Sequence, residues 1–274
     1  MDLKKILTIF IYLFFGINVF LIFQLTENKQ NNQAQITPNT LVTNMRDDNI
    51  EFNKLQTEQL TGYYLGGNIN LKNWATNNQI EKLDKVNVTL DDSKKQLKGR
   101  LKQPVLLVND DNKRKTQLRK IIYQNNYVLH AKQYIYNDKL TEQANLGGTS
   151  TTYVVYQQKL ANDQSVGSDG KLTLEINHAG ELVGYTQTYI EHVQKLRDPA
   201  ALISEQMAVA TLYQYNEIPN NTKILWTKLG YSSLMYVDDS VVLVPTWLVQ
   251  IKNGNNYNLL RINALDGKLM DQAK

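Results

Sequence analysis

The sequence predicts an α+β fold: an N-terminal transmembrane helix, then an extracytoplasmic domain of curved antiparallel sheet packed on helices. Three observations predict it. Ile6 to Leu25 carries no charged side chain. Strand-like runs joined by hairpin-length turns fill the second half of the chain. Helical patterns near 111–126 and 198–213 interrupt those strands.

The apolar run comes first. At ~1.5 Å per residue, residues 6–25 reach ~30 Å, the thickness of a bilayer core. The charges near its start are Asp2, Lys4 and Lys5. Positive-inside bias therefore keeps residues 1–5 in the cytoplasm and sends the rest across. A cleaved signal has a shorter apolar region and small residues at its cut site. Here Gln24 to Lys29 are large or polar, which favours a retained single-pass anchor in the cell membrane. Inside the run, Gly16 permits close helix approach, and Asn18 carries an amide that is costly in lipid without a partner. The two lie about 200° apart around a helix. They are partner-contact candidates for two neighbouring helices.

Composition narrows the function. The net charge is +4, of which the cytoplasmic piece holds +1 (two lysines less one aspartate), leaving +3 outside. So mild and scattered an excess argues against nucleic acid as a partner. With no cysteine there is no lipid attachment through a thiol and no disulfide, so the domain must hold by its core alone.

The remaining elements follow in order. Residues 26–45 are rich in Asn and Gln and read as a juxtamembrane linker. The globular domain runs 46–274, with a candidate subdivision near 104. Ile50 and Phe52 alternate, and Gly62 to Gly67 gives a short strand with a glycine turn. Residues 91–103 are polar and basic and read as a surface connection, followed by a buried strand over Pro104 to Val108. Asp111 to Asn126 is helical, with Leu118, Ile121 and Ile122 on one side. Its Lys113, Arg114, Lys115 and Arg119 form a solvated face rather than a site for an acidic partner. Tyr127 to Tyr136 and Thr151 to Gln158 are strand-like. Ser165 to Gly170 is a turn, and Lys171 to Ile176 pairs with a long strand from Leu182 to His192. Asp198 caps a helix opened by Pro199, with Leu202, Ile203, Met207, Val209, Ala210 and Tyr213 facing the core. Three strands close the chain: Ile224 to Met235, Val241 to Ile251 and Tyr257 to Ala264.

Catalytic chemistry finds little purchase. His130, His178 and His192 have no metal-ligand spacing, and no cysteine can assist them. Ser168 in Gly167-Ser-Asp-Gly170 lacks the strand-to-helix setting of a nucleophile. Asp238-Asp239 reads as a wet turn rather than a cation site. Gly66-Gly67 and Gly147-Gly148 lack the lysine of a phosphate loop. Trp247 beside Pro245 is a packing residue or, more sharply, a partner anchor. No catalytic, cofactor-binding or metal residue is expected.

Several short runs, in this order and spacing, resemble the YycI family. They are the opening with Asp2, Lys5 and Ile9-Phe-Ile11, Asp47-Asp-Asn-Ile50, Tyr185-Thr-Gln-Thr-Tyr189, Met207-Ala-Val-Ala-Thr-Leu-Tyr213, Leu229-Gly-Tyr231, Pro245-Thr-Trp247 and Ile262-Asn-Ala264 with Asp266-Gly267. The family often has Trp where Leu3 stands here. The resemblance implies a C-terminal fold similar to YycH domains. It implies a non-catalytic, membrane-anchored regulator of an essential WalK-type (YycG) sensor histidine kinase controlling cell-wall metabolism. Such a regulator works beside a YycH-like partner, with no cofactor. The competing expectation is an envelope-facing module that binds a ligand or inhibits a secreted hydrolase.

Overall fold

The computed structural model describes residue 10 and residues 13–18, 38–124, 126–146, 148, 150–160 and 163–270. They belong to two units, Met1–Asp47 and Asp48–Lys274. In the first, Phe10 and residues 13–18 are helical, and Pro38–Asp47 forms helix α1. Most of the expected anchor, 6–25, lies outside the described residues, as do residues 1–5. Among the described residues no helix is long and apolar enough to cross a membrane. The stretch read as a linker, 26–45, ends in α1, whose Pro38 suits a first helical position and whose Leu41 and Met45 fall one turn apart.

The second unit contains β1 (Thr61–Gly62), β2 (Leu65–Asn68), α2 (Leu71–Trp74), α3 (Asn77–Ile80), β3 (Val86–Asp91), β4 (Gln96–Leu106), α4 (Asp111–Ile122), β5 (Tyr134–Tyr136) and α5 (Asp138–Ala144). It continues with β6 (Thr152–Leu160), β7 (Asp163–Gln164), β8 (Lys171–Ile176), β9 (Glu181–Gln187), β10 (Glu191–Lys195), β11 (Ala200–Ala201), α6 (Glu205–Gln214), β12 (Thr222–Val237), β13 (Ser240–Asn253) and β14 (Asn256–Asn263). One sheet has the order β3-β4-β9-β8-β6-β5, with β7 on β6. A second has the order β10-β2-β13-β12, with β14 also on β13. A small ribbon pairs β1 with β11. Every strand pair is antiparallel.

The largest core lies on one face of the first sheet. Leu97, Leu172, Leu174, Leu182 and Tyr156 meet Leu118, Ile121 and Ile122 of α4 and Trp74 of α2. A smaller cluster of Leu140, Val155, Val166, Trp226 and Leu248 joins elements of both sheets. β6 therefore buries both faces: Val154 and Tyr156 enter the large core and Val155 the inter-sheet cluster. β13 is buried almost without interruption from Leu243 to Ile251, as a strand covered on both faces must be.

Several expectations need correction. Residues 91–103 are not a surface connection. They contain a short 3-10 turn and then β4, in which buried Leu97, Gly99 and Leu101 alternate with exposed Lys98, Arg100 and Lys102. The basic residues mark the wet face of a half-buried strand. Pro104 to Leu106 are the far end of β4, and of residues 104–108 Leu107 alone is buried. Because β4 crosses residue 104, the unit does not divide there.

The expected strand Leu182 to His192 is two strands. β9 stays in the first sheet, and β10 leaves for the second. Tyr127 to Tyr136 is strand only in β5, and α5, capped by the Asn137 side chain on the Leu140 amide, was not anticipated. The helix expected from Asp198 begins at Glu205, with Ser204 capping the Met207 amide. Pairing of Ala200 and Ala201 with β1 holds the preceding segment extended. Its buried residues are Ala208, Val209, Ala210 and Leu212, whereas Met207 is exposed.

Candidate functional site: a polar clasp between the sheets

The expected turn over Ser165 to Gly170 lies in the loop between β7 and β8, where Ser165, Val166, Gly167, Asp169 and Gly170 are buried and Ser168 alone is exposed. The loop is held from both sides. On the first sheet, the Ser165 amide donates to the Gln158 carbonyl at 2.9 Å and the Gln158 amide to the Gly170 carbonyl at 2.7 Å. On the second, the Val166 amide donates to the Tyr231 carbonyl at 2.7 Å. Gly170 sits at φ +65°, and a Cβ there would stand 3.0 Å from the Gln158 side chain. Both the backbone angle and the space require glycine.

Asp169 completes the clasp. Its carboxylate accepts from the Ser233 hydroxyl and, at 2.7 Å, from the Tyr236 phenol, both on β12. Its carbonyl accepts from the Ser165 hydroxyl. The hydroxyls solvate an anion that burial has stripped of water. The Tyr236 phenol titrates above its ordinary value, first from desolvation and then from the Asp169 charge. A second buried polar link runs through Gln158, whose amide nitrogen donates to the Ile190 carbonyl at 2.7 Å while its oxygen accepts from the Ile190 amide at 2.9 Å. That bond pair spans the point where the chain leaves β9 for β10. Beyond the clasp, the end of β12 exposes Leu234, Met235, Tyr236 and Val237 in succession.

The residues singled out from sequence are not brought together. Gly16 has no heavy atom within 4 Å of where a Cβ would be, and the Asn18 side chain donates to the Phe14 carbonyl one turn back at 2.8 Å. Its amide is thus partly satisfied within its own helix. Trp247 is 7% exposed, and its indole donates to the Ile203 carbonyl at 2.9 Å. It fits the packing role, and its burial leaves no broad face for a partner. In the basic cluster, Arg114 bonds Asp111, Asn109 and the Val108 carbonyl, and Lys115 lies over the Tyr136 ring. Asp238-Asp239 is the expected turn, with Asp238 exposed. Asp239 accepts from Lys95 at 2.7 Å and from Asn70, and the Lys95 contact holds its carboxyl below the ordinary range. His130 stacks on Tyr189 with ring centroids 4.3 Å apart. Nothing in the local sequence marks Asp169 as buried, because its partners lie 64 and 67 positions away.

Fold and clasp together define an α+β domain of two antiparallel sheets joined through a buried polar loop. Among the described residues no group of three or more His, Asp or Glu could hold a metal ion. The family model for the YycI protein matches residues 28–265, and the chain belongs to that family of regulators in the YycH/YycI system. No curated protein matches the sequence. Similar solved structures include an uncharacterized protein from Eubacterium rectale, at 10% identity and TM-score 0.48 over 82% of this chain and 89% of that one. YycH from Bacillus subtilis is similar at 11% and 0.44, over 75% and 53%. The YpeB C-terminal domain from Bacillus megaterium is similar at 9% and 0.39, over 86% and 98%.

Proposed function

We infer that the chain is a non-catalytic, single-pass regulator of a WalK-type (YycG) sensor histidine kinase controlling cell-wall metabolism. It acts beside a YycH-like partner, with its N-terminus in the cytoplasm and its C-terminal domain outside. Membership of the YycI family over residues 28–265 carries the reading. The uncharged run from Ile6 to Leu25 supports the anchor, and the helical residues described within it expose Phe10, Leu13, Phe14, Phe15 and Ile17. A kinase that moves between two helix arrangements responds to a partner that binds one of them better, and about 1.4 kcal/mol of difference shifts the ratio tenfold. A single hydrogen bond in lipid is worth ~0.6 kcal/mol, so the anchor and the outer domain both contribute.

The test is in-cell photocrosslinking from positions 16 and 18 and from exposed positions 234 and 235, with the products identified by mass spectrometry. Recovery of a sensor kinase and a second anchored regulator supports the reading. Recovery of secreted hydrolases or wall material alone replaces it with the envelope-binding alternative. Exchanging residues 6–25 for an unrelated spanning helix separates the two as well, because only the kinase regulator depends on the native anchor.

A further inference from the structure

A cleft of about 350 Å³ opens beside the clasp, between the 165–170 loop, the first residue of β8, α5 and one face of β14. Lys171 and Arg261 both line it. Gln143, Ser168, Tyr257 and Asn258 add amide and hydroxyl groups between them. Tyr257 and Arg261 fall four apart on a strand and so share its face. The Lys252 ammonium lies 5.3 Å from the centre of the Tyr257 ring.

Lys171 and Arg261 are half-buried, yet among the described residues neither has a carboxylate within ion-pairing distance. Two described acids close to them in sequence or on the cleft's helix have other partners. Asp169 is held by Ser233 and Tyr236, and Glu142 of α5 pairs with Lys139. Desolvation, followed by the Arg261 charge, makes the Lys171 ammonium easier to deprotonate than an exposed lysine. Desolvation also lowers Arg261. Two like charges in one cleft, with no carboxylate paired to either among the described residues, destabilise each other and the empty protein. An oxyanion between them relieves both costs at once. The volume lies at the small end of ligand pockets, which suits a compact molecule or headgroup and not a protein segment. The amides and hydroxyls suit hydroxyl groups on the rest of that ligand.

We propose that this cleft is a binding site for a phosphate ester, with Lys171 and Arg261 as the anion clamp. A soluble phosphate ester and a phospholipid headgroup share that chemistry, and the test separates them. The assignment rests on the cleft alone and stands whether or not the kinase is the partner.

The full chain in non-ionic detergent is titrated calorimetrically with inorganic phosphate, with glycerol 3-phosphate, and with mixed micelles containing phosphatidylglycerol. Saturable binding is expected, weakened roughly tenfold by Lys171→Gln and by Arg261→Gln. Lys171→Arg and Arg261→Lys keep the charge and guard against loss of folding; they retain most of the affinity. Binding of glycerol 3-phosphate identifies a soluble ester, and binding of phosphatidylglycerol micelles alone identifies a headgroup. Failure of all three probes overturns the proposal. So does an equal loss on Lys223→Gln, at an exposed lysine paired with Glu51, because that pattern is diffuse surface attraction.

Discussion

Asp169 and Tyr236 are hydrogen-bonded at 2.7 Å across the junction of the two sheets, the carboxylate on a buried loop and the phenol on an exposed strand end. The bond ties the orientation of the 165–170 loop to the end of β12. Removing the acceptor leaves the Ser233 hydroxyl short of a partner as well. Asp169→Ala is therefore expected to cost about 2–3 kcal/mol. Tyr236→Phe is expected to cost about 1 kcal/mol or less, because Ser233 still solvates the carboxylate and half of Tyr236 already faces water. Urea unfolding of the three proteins checks the order, and equal midpoints for Asp169→Ala and the parent would contradict the clasp.

Gly99 lies directly opposite Tyr185 across β4 and β9, and a Cβ at Gly99 would stand 2.4 Å from the tyrosine ring. The ring occupies the place that a side chain on β4 would take. Gly99→Ala is expected to destabilise by about 1–3 kcal/mol through overpacking. In a Tyr185→Leu background the same change should cost less, and the double-mutant cycle measures the difference.

Alkaline pH should unfold the domain steeply. Burial raises Tyr134, Tyr156 and Tyr185 above their ordinary values. Above about pH 10 the unfolded chain releases these protons and the folded chain keeps them. Stability is then full below about pH 10 and falls above it, by about 1.4 kcal/mol per pH unit for each tyrosine. Lys171 acts in the opposite sense. Its folded value is lowered, so stability rises with pH between that value and about 10.4, and then levels. Among the described residues the buried Tyr185 hydroxyl has no hydrogen-bond partner, so Tyr185→Phe should leave neutral stability nearly unchanged. It should also make the alkaline slope shallower, as denaturation between pH 9 and 11 would register.

Within the N-terminal helix the two candidates should behave differently. Asn18 already donates to Phe14, whereas the bare backbone at Gly16 allows a second helix to approach. Gly16→Leu should reduce crosslinking to a partner helix and Asn18→Leu should change it little. The reverse result would make the amide the contact.

Trp247→Phe removes the bond to the Ile203 carbonyl and should cost about 1 kcal/mol of stability. Partner crosslinking from positions 16 and 234 should be unaffected. Loss of crosslinking in a fully folded variant would restore Trp247 as a partner anchor.

The last three strands were legible because β12, β13 and β14 are long runs rich in β-branched and aromatic residues and the links between them are two residues long. β4 was not, for a reason visible at Gly99. Glycine carries no apolar signal, and the side chain that fills its place comes from Tyr185 in another strand. Asp198-Pro199 is a sound helix start by local chemistry, yet pairing of β11 with β1 overrides it. The clasp was invisible for the same kind of reason. Whether Asp169 faces water or Ser233 is decided by a strand that the loop meets only in three dimensions.

β13 receives β2 and β14 one after the other along a single edge, Leu243 beside Leu65 and Val249 beside Leu260. β2 emerges early, gains β10 on one edge only once residue 195 has been made, and keeps its other edge open until β13 follows. Any product that stops short of Ser240 keeps β2 and β12 as open edges, the form that invites aggregation and chaperone capture. For this protein, completeness of synthesis is itself a folding checkpoint.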